Sequence, residues 1–158
     1  MMIIYHIALI THIAGLAMMA GITLADFILF RQFWKQLAKA REGGLAVSEA
    51  LFKLPIAFGI GILFLIASGV TMMAITHGAF GEQLWFRIKF ALVILIIING
   101  LAFGRRQGLK LRRFLTSGET GITMEQGLLK IKGNLQLFHL LQLAMFIIIF
   151  TLSVFKFN

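Results

Sequence analysis

Three ionisable side chains interrupt long apolar stretches of this chain: His12, Asp26 and His139. The third of the four apolar stretches carries Arg87 and Lys89 near its start. An imidazole at such a position can ligate a metal or carry a proton, and a carboxylate can pair with either. Polar groups held at membrane depth are costly and mark functional candidates. In the first stretch Tyr5, His12, Met19 and Asp26 recur every seven residues. Each step of seven drifts by only about 20° around a helix, so the four share one stripe, with Gly15 and Thr23 on or beside it. His6 lies about 120° from His12. Ala17, Gly21 and Ala25 occupy the opposite face, where small residues predict close helix contact.

Arg87 and Lys89 are about 200° apart on a helix and cannot both face a bundle interior. Trp85 lies within about 40° of Lys89, so one cation is expected to snorkel beside an interfacial aromatic. The other is expected to pair with an anion. Near the other end of the bundle, Gln136, His139 and Gln142 form one polar stripe. Asp26 and Asn99 lie at comparable depth, which predicts an Asp26–His139 interaction with Asn99 nearby, either a structural clamp or a proton path. His12 and Lys89 fall roughly 8–15 Å below the outer surface by rise per residue and could flank one ligand.

Haem is the first ligand such a set suggests. A helix bundle can hold a porphyrin and an imidazole is a good axial ligand. His77 sits at a helix end, so a single-histidine site is favoured over a pair. Copper is the second, through Met73 and His77 at i, i+4 and Met18–Met19 after His12, since Met and His suit Cu(I). The chain has no phosphate-binding glycine loop, no G-x-S-x-G and no H-E-x-x-H.

The elements that must position these residues follow from composition. The chain has 158 residues, of which 59% are hydrophobic and 13% charged, with no Cys. Ordinary soluble domains are about 45–50% apolar and about 25% charged. Disorder, a disulfide scaffold, a zinc-finger module and an ordinary soluble enzyme are excluded. Four runs reach the roughly 20 residues that a membrane helix needs: 2–30, 54–76, 84–103 and 135–155. Pro55 opens the second, as a first-turn proline does. The first lacks a basic start and a small-residue cleavage site, and is expected to stay as a helix. The fold class is all-α: a single-domain polytopic bundle of four transmembrane helices, expected to be homo-oligomeric. Gly100, Gly104 and Gly108, spaced by four, predict close packing.

Between the runs, 31–53 and 104–133 are expected to be loops, the second with an amphipathic surface helix around Met124–Ile131. The Lys and Arg concentrate there, the His77–Gln83 link has none, and Lys156 marks the C-terminus. The positive-inside rule puts both basic loops in the cytoplasm and both termini outside, in a bacterial inner membrane. The net charge of +9 is thereby a topology signal, with no aromatic-basic motif for nucleic acid.

Several of these residues also carry a resemblance. Leu9-Ile10-Thr11-His12-Ile13 with Gly21 and Phe27–Phe30, Lys53-Leu54-Pro55-Ile56-Ala57, Trp85-Phe86-Arg87-Ile88-Lys89, Asn99 with Gly104-Arg105 and Lys110, and Val154-Phe155-Lys156-Phe157 resemble, in order, the four helices of HemJ-type protoporphyrinogen oxidases. The resemblance implies a haem b protein with His12 and Lys89 as its functional residues, His12 as axial ligand and Lys89 as ligand or substrate-carboxylate partner. It implies Arg87, with Tyr5, beside the porphyrin, removal of hydrogens from protoporphyrinogen IX, and electron transfer to a quinone or respiratory pool. The chain departs from the pattern at Asn99, where the family commonly has His. It departs at Ala25-Asp26, where Pro-Arg is usual, and around His139, where an Arg and an Asn-Glu pair are expected. The alternative expectation is a non-enzymatic four-helix membrane protein, copper-binding and similar to copper-resistance proteins.

Overall fold

The computed structural model describes residues 2–39, 41–79, 81–116 and 122–155. Among the described residues there is no strand. The elements are α1 (Met2–Leu37), α2 (Arg41–Ile75), α3 (Leu84–Ile98), a π-helical turn (Asn99–Gly104), α4 (Arg105–Thr116) and α5 (Ile122–Val154). The run α3–π turn–α4 is unbroken, so the chain makes four helical rods. Each carries a span long and apolar enough to cross a membrane: Met2–Leu37, Val47–Ile75, Leu84–Arg113 and Gln126–Val154. The rods alternate in direction, so the start of α1 and the end of α5 lie with the turn after α2. The end of α1, the start of α2, the end of α4 and the start of α5 lie together at the other, basic end. Lys156 and Phe157 fall outside the described residues.

The rods overrun their apolar runs. The 36 residues of α1 reach about 54 Å, against roughly 30 Å of hydrocarbon. The stretches 31–53 and 104–133, expected as loops, are therefore helical along most of their length. The cause is a second core at the basic end, built from Phe30, Phe33, Leu111, Leu115, Ile131 and Leu135, with Trp34, Leu37, Leu51 and Phe52 packed against it. These residues recur at helical spacing among the charges. In α4, Gln107, Leu111 and Leu115 are buried at i, i+4 and i+8, while Arg105, Arg106, Lys110, Arg112 and Arg113 point outward. The amphipathic helix of this region is thus Arg105–Thr116, and Met124–Ile131 is part of α5. A mid-bundle core of Met19, Leu65, Ile96, Phe146 and Ile149 joins all four rods.

The closest helix contact uses a different face of α1 from the one its small residues suggest. A Cβ on Gly15 would sit 3.1 Å from the Gly61 carbonyl oxygen and the Leu65 nitrogen. Gly15 belongs to the polar stripe. Ala17 and Gly21 are exposed, and a Cβ on Gly21 would meet nothing within 4 Å. The polar stripe faces inward, with Gly15, Met19 and Thr23 buried, because α2 needs backbone-close access there. α1 and α2 pack intimately, whereas α2 and α3 barely touch.

Candidate functional site

His139 is delivered by α5 and is almost fully buried. Its Nδ1 lies 2.6 Å from the Leu135 carbonyl oxygen, one turn back. A carbonyl can only accept, so Nδ1 carries a hydrogen and donates it. The ring's Nε2 lies 3.0 Å from Asp26 Oδ2 on α1. With Nδ1 protonated, that contact holds only if a proton bridges it. The pair is either imidazolium with carboxylate or neutral imidazole with carboxylic acid. Both forms have zero net charge, which makes burial tolerable. Phe30 and Phe138 clamp the ring with centroids at 4.8 and 5.0 Å.

Asn99 opens the π turn and donates from Nδ2 to Gln142 Oε1 at 2.8 Å. Gln142 in turn donates to the Ile96 carbonyl at 3.4 Å. Asn99 is thus engaged by Gln142, one helical turn beyond the Asp26–His139 pair. Gln136 is exposed, so the expected three-residue stripe contributes two members to the interior. π turns insert an extra residue and often accompany functional sites. This one carries Gly100 and Gly104. A Cβ on Gly104 would collide with the Phe138 ring at 2.8 Å, so glycine is what lets Phe138 seat beside His139.

Where α2 and α3 diverge, a crevice of about 340 Å³ opens between α2 and the α3–α4 rod, with α1 and α5 as its back wall. Its lining is mainly apolar, including Pro55, Phe58 and Ile62 on one side and Ile97 and Leu101 on the other. Asp26, His139 and Gln142 supply polar groups on the back wall, and Arg105 and Arg112 stand toward the basic end. Along α2 it runs from Leu51 to Ile62, and along the facing rod from Ile97 to Arg112. At 1.5 Å per residue that is about 16–22 Å. That length suits an extended hydrocarbon or isoprenoid chain.

The other set of candidates surrounds His12. Its Nδ1 is 3.0 Å from Ser68 Oγ on α2. Ser68 gives its own hydroxyl hydrogen to the Phe64 carbonyl, so His12 Nδ1–H is the donor and Nε2 keeps its lone pair. The ring lies against Gly69, where a Cβ would stand 3.5 Å from Cε1. The Lys89 ammonium sits 5.4 Å over the Trp85 ring and close enough for its charge to act on His12. Arg87 donates from Nε to the Gly81 carbonyl at 3.0 Å, tying the start of α3 to the preceding turn. Tyr5 is half-buried and edge-on to His6. Met73 and His77 do not share a helix face as expected: α2 ends at Ile75, and His77 takes a left-handed conformation with φ 51°. Among the described residues, no three or more His, Cys, Asp or Glu side chains gather into one cluster.

Sequence reasoning missed Ser68 and the crevice. A signal for Ser68 existed. In a helical hairpin turning near Lys39, residues equidistant from the turn face each other, and His12 and Ser68 are 27 and 29 residues away (39 − 12 and 68 − 39). No protein-family model, no curated protein and no solved structure matches this chain. The fold is that of a four-span helical membrane protein, and its function has to be argued from the site.

Proposed function

We propose that this membrane protein admits a lipid-dissolved, chain-bearing molecule into the α2–α3 crevice and exchanges a proton with its polar head at Asp26–His139. The carrying observation is the 3.0 Å contact between the Asp26 carboxyl and the His139 imidazole on the wall of a mainly apolar crevice. An apolar crevice between barely touching helices suits a ligand that arrives from the bilayer. A hydroxyl on that ligand can donate to the carboxylate oxygen of Asp26 that His139 does not use. A proton taken from the ligand leaves the pair cationic beside an anionic head group, so the two charges stay paired, and its return restores two neutral partners. Quinols and quinones, with a small hydrogen-bonding head and a slender isoprenoid tail, meet these demands. The reading makes the protein a quinone- or quinol-binding membrane component that handles the head group's proton. Its test is organic extraction of the purified protein. A quinone recovered in near-stoichiometric amount supports the reading. Extracts holding only bulk phospholipid count against it.

A second reading, haem at His12, has its own support. With Nδ1–H donated to Ser68, the His12 Nε2 carries the lone pair that an axial ligand requires. The crevice offers no imidazole to iron, because both nitrogens of its lining histidine, His139, are engaged. In the haem reading His12 holds the iron and Lys89 neutralises a propionate. The group would supply one-electron redox chemistry. A visible spectrum with and without dithionite tests it. A Soret band lost in His12→Ala supports the reading, and a colourless protein made with haem supplied overturns it.

The clustering of Lys and Arg on one end of the bundle supports a bacterial inner-membrane orientation with that end in the cytoplasm and both termini outside.

A further inference from the structure

A second pocket, of about 200 Å³, lies between α4 and α5 at the basic end and shares no lining residue with the crevice. Lys110 comes from α4 and Lys130 from α5, with Gly127, Ile131, Asn134 and Gln107 completing the wall. Among the described residues no acidic side chain lines it. Both lysines are exposed, and one from each wall can hold an anion seated between them. Gln107 is 8% exposed, and its Oε1 has no hydrogen-bond partner. A buried acceptor left unpaired carries a desolvation cost that a donor would remove. The pocket therefore offers two cations to an anion and an acceptor to a hydroxyl. It stands where the apolar run of α5, starting near Leu135, gives way to its basic extension, the level at which lipid head groups lie. Basic pockets between membrane helices on that side are suited to anionic head groups.

We propose that this pocket binds the head group of an anionic glycerophospholipid, with the phosphate between Lys110 and Lys130 and a head-group hydroxyl donating to Gln107. The ligand chemistry is a phosphate with an adjacent hydroxyl, which a soluble glycerol phosphate shares. The full chain in nanodiscs of mixed phosphatidylglycerol, phosphatidic acid and phosphatidylcholine, released into native mass spectrometry, reads the retained lipid. The wild type should retain phosphatidylglycerol over phosphatidylcholine by roughly tenfold, and Lys110→Gln/Lys130→Gln should fall near parity. Lys35→Gln/Arg106→Gln removes the same charge outside the pocket and should keep the preference. Gln107→Leu, which removes the unpaired amide, should lose discrimination between phosphatidylglycerol and phosphatidic acid while still favouring both over phosphatidylcholine. Equal retention by the wild type and the double lysine variant overturns the site. A melting-temperature rise with glycerol 3-phosphate in the wild type but not the lysine variant, without lipid preference, overturns the lipid assignment in favour of a soluble phosphate.

Discussion

Asp26 Oδ2 and His139 Nε2 face each other at 3.0 Å across α1 and α5, while the Leu135 carbonyl occupies the ring's other nitrogen. The bond between them exists only while it holds a proton. Asp26→Asn should therefore be mild, below about 1 kcal/mol, because the amide can donate to a neutral imidazole. Asp26→Leu strands a buried nitrogen and should cost about 1–3 kcal/mol. Unfolding in mixed micelles measures both. Equal losses would contradict the bridged geometry.

How much of this was legible in the sequence depends on what each feature rests on. The four spans follow from run length, and the Asp26–His139 pairing follows from counting depth along two helices. The lengths of the rods were hidden, because Phe33, Leu111 and Ile131 lie among basic residues that lower any windowed hydropathy. Reading Gln107, Leu111 and Leu115 at i, i+4, i+8 would have revealed α4. The packing face of α1 was not legible: Gly15 and Gly21 are the same residue type, and only the position of α2 decides which one is contacted. The crevice was not legible either, since it arises from the divergence of α2 and α3 and from a π turn without a distinctive local pattern.

Gly15 and Gly21 therefore give opposite expectations for one substitution. Gly15→Ala pushes a methyl to 3.1 Å from the α2 backbone and should destabilise by about 1–3 kcal/mol. Gly21→Ala meets only its surroundings and should be neutral or stabilise by up to about 1 kcal/mol through helix propensity. Thermal unfolding of both variants in one detergent reads the difference. A costlier Gly21→Ala would mean that its face is covered by another chain.

Topology is testable because the chain has no Cys. A cysteine at Lys39, in the α1–α2 connection, should be blocked from a membrane-impermeant maleimide in intact cells. A cysteine at Gly81, in the turn before α3, should react. The reverse pattern would invert the bundle and place the anionic-lipid pocket in the outer leaflet.

Gly59 lines the crevice, and a Cβ there meets nothing within 4 Å, so Gly59→Trp should fill the space without disturbing the fold. Calorimetric titration of decyl-ubiquinol into the protein in nanodiscs, for wild type, Gly59→Trp and Asp26→Leu, is the most direct test of the crevice as a ligand site. Saturable binding should appear in the wild type, vanish in Gly59→Trp, and weaken by about tenfold or more in Asp26→Leu, as loss of a hydrogen bond to a charged group requires. No saturable binding in the wild type, or equal binding in all three, would contradict it.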